Sequence, residues 1–194
     1  MRRLITALLL AAVVPASTFA ATEVAGVKFE EKARVGAGET VLNGAGMRNR
    51  AFFKVYAMGL YLPQKASHVA DALGGKGAKR VAIVTLRDLT AEQFADALVD
   101  GLKKNHDEAA LAPLQPKIEQ FRTIMLGIGN AAEKTTVFID WLPDVGGGVT
   151  RLTVNGAVKG ADIGGEDFYR GLLRVWLGEK PAQDDLKEKL LGKS

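Results

Sequence analysis

The segment Ala51 to Leu62, AFFKVYAMGLYL, constrains the fold of this chain more than any other. Its apolar residues fall on both parities. Phe52, Tyr56, Met58, Leu60 and Leu62 share one, and Phe53, Val55, Ala57 and Tyr61 share the other. Successive side chains of a strand point to opposite faces, so a strand of this composition must be covered on both sides. It belongs in the middle of a sheet, and the remaining sequence has to supply its neighbours and its covering layers.

Strand neighbours are readable at Val24 to Phe29, Glu39 to Met47, Arg80 to Leu86, Thr135 to Leu142 and Gly148 to Val154. Asn155-Gly156, between TRLTV and AVKG, is a type I′ hairpin signal because both residues tolerate positive φ. The covering layers are helical. A short helix over Ala66 to Leu73 stops at Gly74-Gly75. Thr90-Ala91-Glu92-Gln93 has the form of a capping box, and Phe94, Ala97, Leu98, Gly101 and Leu102 then mark one apolar helix face. Leu114, Ile118, Phe121, Met125 and Ile128 repeat that spacing, and further helices are expected over Phe168 to Leu177 and Asp184 to Leu191. Hairpin-linked strands with segregated helices predict an α+β fold: a large antiparallel sheet with helices packed on one face.

Residues 1–20 have a different character. Arg2 and Arg3 precede an apolar run from Leu4 to Val14, and Pro15 to Ala20 closes it with small residues around a cut after Ala20. This is the layout of a cleavable signal peptide, and the run is too short to span a bilayer. The absence of cysteine removes a lipoprotein anchor and any disulfide. The expected product is one domain over residues 21–194, periplasmic or secreted, with no stable membrane insertion after cleavage.

Several function classes find no support. The formal charge of +4 falls to +2 once Arg2 and Arg3 are removed, and no dense Lys/Arg cluster with interleaved aromatics suggests nucleic acid. An acidic membrane surface attracts such a chain only weakly. His68 and His106 read as solvated surface residues, so no metal site and no cofactor are expected. Gly44-Ala45-Gly46 lies by a strand, with no helix N-terminus to receive a phosphate. Ser67 and Ser194 are the only serines after residue 20 and leave no plausible Ser-His-Asp triad. Glu166-Asp167 and Asp184-Asp185 open helices, where the dipole accounts for them.

One pattern is sharper. Leu42-Asn43-Gly44-Ala45-Gly46-Met47-Arg48, followed by Lys54-Val55-Tyr56-Ala57-Met58-Gly59-Leu60-Tyr61-Leu62, resembles the chalcone isomerase family, particularly its bacterial, exported chalcone-isomerase-like branch. Leu86-Arg87-Asp88-Leu89-Thr90, Asn155-Gly156 and Phe168…Trp176-Leu177-Gly178…Pro181 agree in order, so the likeness covers essentially the whole chain after residue 20. It implies an open-faced β-sandwich with a ligand cleft between sheet and helices.

The resemblance also assigns roles. The family's arginine falls on Arg48 and is kept. Its threonine falls on Tyr56, its tyrosine on Phe94, its asparagine on Gly101 and its lysine on Leu86. A hydroxyl residue of the last long helix falls near Val175 and Trp176. A cation is retained while its polar partners become apolar, which suits a ligand with a greasy body and an acidic head. Members of the family that keep the arginine without the isomerase residues include fatty-acid-binding proteins. The expectation is therefore a non-catalytic protein binding a fatty acid or similar amphipathic carboxylate. Arg48 would be the anion anchor, Tyr56 an added hydroxyl, and Phe94, Leu98 and Trp176 the apolar lining.

Alternatives remain open at this point. Arg48 and Tyr56 are also the catalytic candidates if the chain is an isomerase or lyase acting on an unsaturated or phenolic substrate. Arg48 pairs with an acid such as Asp140 or Asp162 if its role is architectural. The chain is a ligand-free envelope interaction module if the cleft is closed by its own side chains.

Overall fold

The computed structural model describes residues 21–193, so the segment read as a signal peptide lies outside the described residues. Seven strands form one antiparallel sheet in simple sequential order: β3 (Lys32–Val35), β4 (Gly38–Arg50), β5 (Phe53–Leu62), β6 (Lys79–Thr85), β7 (Thr136–Leu142), β8 (Val149–Val154) and β9 (Ala157–Gly164). A separate hairpin, β1 (Ala21–Val24) and β2 (Val27–Glu30), precedes it. The helices are α1 (Val69–Gly74), α2 (Ala91–Lys104), α3 (Glu108–Leu111), α4 (Gln115–Ile128), α5 (Glu166–Leu177) and α6 (Asp184–Leu190). The α+β expectation holds, with the sheet antiparallel throughout.

β5 is covered on both faces, as its composition requires. Tyr56, Met58, Leu60 and Leu62 join the main core with Val81, Ile83, Val137 and Ile139 from neighbouring strands and Phe94, Leu98, Phe121, Phe168 and Trp176 from the helices. Ala57 and Tyr61 face the other way into a smaller cluster with Phe29, Leu42 and Ala82. The β1–β2 hairpin supplies that second cover. A Cβ at Gly59 would lie 2.7 Å from the Phe29 ring, so the glycine lets Phe29 seat directly on the strand.

Some boundaries differ from those the sequence predicts. The run Val24 to Phe29 is not one strand but the turn and second arm of a hairpin, with Ala25 and Gly26 both at positive φ. Phe52 and Phe53 are not core residues. A two-residue turn at Ala51-Phe52 joins β4 to β5 and leaves Phe52 99 % and Phe53 60 % exposed. The capping box at Thr90 forms in both directions, and Asn155-Gly156 takes the expected positive φ values at the β8–β9 turn.

Close packing accounts for the glycines of the G-x-G-x-R stretch. Gly44, Gly46 and Arg48 pair with Leu60, Met58 and Tyr56 of β5 and share the helix-facing side of the sheet. A Cβ at Gly44 would lie 1.9 Å from the Lys189 carbonyl oxygen, and one at Gly46 would lie 2.8 Å from Leu186. The two glycines therefore allow α6 to lie on the backbone of β4. Asn43, at a bulge in β4, fixes the helix end by donating to the carbonyls of Leu190 (2.7 Å) and Ala66 (2.9 Å).

Candidate functional site

Where α6 begins, the packing on β4 opens into a cleft of about 340 Å³ between β4–β5 and helices α2 and α5. That volume lies near the lower end of the range for small-molecule sites. Four of the five residues singled out from the sequence line it: Arg48, Tyr56, Phe94 and Leu98. Tyr56, Phe94 and Leu98 are buried and form its floor, with Val175 and Val55 beside them. The fifth, Trp176, is not in the wall. It stands behind Tyr56, and its indole N–H donates to the Tyr56 hydroxyl at 2.9 Å.

Arg48 is half-buried and has only neutral partners. Its Nη1 donates to the Gln183 side-chain oxygen at 3.1 Å and to the carbonyl of Asn49. The same Gln183 oxygen accepts from the Asn49 amide at 2.7 Å, and Gln183 donates in turn to the Met47 carbonyl at 3.2 Å. No carboxylate lies within salt-bridge distance of Arg48 among the described residues. The two acids considered as architectural partners are engaged elsewhere. Asp140 holds Arg80 through two 2.7 Å bonds, and Asp162 holds Arg151 at 2.8 and 2.6 Å.

The rim reinforces the positive field. Arg50, Lys104 and Lys180 line the cleft alongside Arg48, against the single acid Asp100. Asn105 ties the rim together, donating to the carbonyls of Gly101 (2.9 Å) and Lys180 (2.8 Å) and accepting from the Lys180 amide (2.9 Å). Tyr56 accepts from Trp176, and its own hydroxyl hydrogen has no acceptor among the described residues. Burial raises the Tyr56 pKa, opposed in part by the Trp176 bond and the nearby Arg48 charge. The phenol therefore stays protonated at neutral pH and keeps a hydrogen to donate.

Two of the positions matched to the family's polar residues serve packing instead. Leu86 packs with the outer cluster on the opposite side of the sheet, so it does not face the cleft. Gly101 lines the cleft, but a Cβ there would lie 2.6 Å from Val175, so this residue sets the close approach of α2 and α5. Sequence reasoning missed Arg50, Lys104, Lys180 and Gln183. The three cations sit singly on different elements, and Gln183 reaches Arg48 across 135 positions, so no local pattern marks them. His68 is exposed as expected, whereas His106 is half-buried with Nδ1 2.9 Å from the Leu102 carbonyl. Among the described residues no group of three or more His, Asp and Glu is placed to hold a metal ion.

A second cavity, of about 330 Å³, lies on the outer face under the β1–β2 hairpin. It also pairs a tyrosine with an arginine, Tyr61 and Arg80. Here Tyr61 donates to the Glu30 carbonyl at 2.9 Å, and Arg80 lies 4.1 Å from the centroid of the Phe138 ring while bonded to Asp140.

An antiparallel sheet carrying its helices on one face, with a basic, apolar-floored cleft between the layers, defines an α+β open-faced sandwich with an inner cleft. A family model described as chalcone isomerase-like matches residues 21–192, and the chain belongs to that family. Among solved structures it is similar to a fatty-acid-binding protein of Arabidopsis thaliana. The TM-score is 0.64 at 15 % identity, over 86 % of this chain and 92 % of that one, a likeness of fold. No curated protein matches the sequence.

Proposed function

We propose that this is an exported protein, periplasmic or secreted, that binds a fatty acid or similar amphipathic carboxylate in the inner cleft with Arg48 as anion anchor. The observation that carries the reading is the half-buried Arg48, held in place by neutral groups alone above an apolar floor. A guanidinium in that state retains its charge and has donors left for a carboxylate. Tyr56 adds a hydroxyl donor, Phe94 and Leu98 receive the first part of the chain, and Trp176 acts indirectly by fixing the Tyr56 ring. The fatty-acid-binding protein that shares the fold supports the ligand class. The exported location rests on the sequence of residues 1–20.

Native mass spectrometry of gently purified protein, followed by titration with saturated acids of increasing length, tests this directly. Affinity should rise by about 0.8 kcal/mol for each methylene the cleft buries and then level off. Arg48→Ala should weaken binding about ten- to a hundredfold, the value of a charge-assisted hydrogen bond. Absence of any co-purifying or titratable acid in the wild-type protein would sink the proposal.

A further inference from the structure

The turn between β4 and β5 presents a feature that ligand binding in the cleft does not require. Large apolar side chains are exposed at only four described positions: Phe52, Phe53, Val145 and Val158. Val145 and Val158 stand singly, which is ordinary for a surface. Phe52 and Phe53 are adjacent at the tip of one hairpin, and they sit among cations. Arg50 faces Phe53 across the turn, Lys54 follows it, and the Arg87 guanidinium lies 4.9 Å from the centroid of the Phe53 ring. All three basic residues are exposed. The acids of this region are Asp88, whose carboxylate accepts the Glu133 amide at 2.8 Å, Glu133 itself, and Asp100, which lines the cleft that Arg50 borders.

Protruding phenylalanines ringed by arginine and lysine match the two layers of an anionic lipid surface. The rings enter the boundary between headgroups and acyl chains while the cations remain at the phosphates. Arg50 and Val55, which flank the tip, both line the inner cleft, so a docked tip holds the cleft mouth beside the membrane. We infer that the β4–β5 hairpin tip, through Phe52 and Phe53 with Arg50, Lys54 and Arg87, docks this protein reversibly on anionic lipid surfaces. The docking rests on the tip alone; its use in loading or unloading the cleft rests on the fatty-acid reading. No described helix is long and apolar enough to cross a membrane, and the tip calls for peripheral contact only.

Co-sedimentation of the protein lacking residues 1–20 with vesicles tests the inference. Vesicles of phosphatidylcholine alone are compared with vesicles containing 30 % phosphatidylglycerol as a roughly physiological anionic load. Attraction of about 1 kcal/mol per basic residue predicts roughly a hundredfold preference for the anionic vesicles at low salt, largely lost in high salt. The double variant Phe52→Ser/Phe53→Ser should lose at least tenfold in partitioning, given the value of burying an aromatic side chain. Its fold, read by circular dichroism, and its binding of decanoate in solution should be unchanged. Lys54→Glu with Arg87→Glu should remove the anionic preference. Wild-type protein that fails to sediment, or sedimentation indifferent to the phenylalanines or to lipid charge, overturns the inference. So does self-association that disappears in the double variant without vesicle binding, because that assigns the tip to a second copy of the chain. Protein that docks but takes no decanoate in solution rejects the cleft reading and leaves the docking intact.

Discussion

The two faces of the sheet each hold a cavity with an arginine and a tyrosine, yet the two arginines are in opposite states. On the outer face Arg80 is clamped by both oxygens of Asp140 and stacked near Phe138, so its charge is neutralised within the protein. On the inner face Arg48 is held by an amide oxygen and a backbone carbonyl, which orient it without cancelling its charge. The tyrosines follow the same division. Tyr61 donates its hydrogen to the Glu30 carbonyl, whereas Tyr56 is occupied only as an acceptor. The cavities are of nearly equal volume, so size does not distinguish them. The difference lies in which polar groups already have partners: among the described residues Arg80 has a carboxylate and Tyr61 an acceptor, whereas Arg48 and Tyr56 have neither.

The largest effect should come from unbalancing the outer pair. Asp140→Asn leaves a largely buried guanidinium without its counter-charge, and chemical denaturation should show a loss of about 3 kcal/mol. A loss below about 1 kcal/mol would mean that Arg80 is not neutralised in the way described.

Tyr56→Phe comes next. It strands the buried Trp176 indole N–H without its acceptor, at a cost of about 2 kcal/mol in stability, and it removes the one hydroxyl donor among the residues that line the cleft. Melting and fatty-acid titration should therefore both respond, whereas a purely structural tyrosine would move only the first.

Gln183→Glu makes the inner arginine resemble the outer one. The new carboxylate stands where the amide oxygen now meets Arg48 at 3.1 Å, so it should compete with a ligand carboxylate and weaken fatty-acid binding at least tenfold. Stability should fall by only about 1 kcal/mol, because the partly buried ion pair offsets loss of the Gln183 donation to the Met47 carbonyl.

Lys79 supplies the smallest effect and a third state for a buried cation. It is fully buried, and its Nζ has only the Leu73 carbonyl at 3.2 Å. Burial lowers its pKa, partly offset by Glu166 and reinforced by Arg170. Between that lowered value and its ordinary 10.5 the unfolded chain binds more protons than the folded one, so raising the pH through this window should add stability. Lys79→Met should abolish that rise, and pH-dependent denaturation of the two proteins would reveal it.

Much of the fold was legible because local patterns are unambiguous where both faces of a strand are apolar. Tyr56, Met58, Leu60, Ala57 and Tyr61 all went to the faces that alternation assigns. The same rule failed at Phe52, because alternation cannot tell a core phenylalanine from one displayed on a turn. Ala25-Gly26 is a weaker turn signal than Asn155-Gly156, so the first hairpin was hidden inside an apolar run. Within the site, Arg48 was legible through its motif and Phe94 through helical spacing. Gln183 and the basic rim were not, since their meeting depends on how α6 and the helix ends close over β4, which is a property of the assembled layers.

The most direct measurement is the affinity of the wild-type protein and of Arg48→Gln for decanoate and for decanol, by calorimetric titration at neutral pH. An anchoring Arg48 predicts that wild type prefers the acid by at least tenfold and that Arg48→Gln binds both with similar, weaker affinity. Equal binding of acid and alcohol by the wild type, or an acid preference that survives in Arg48→Gln, would contradict the account.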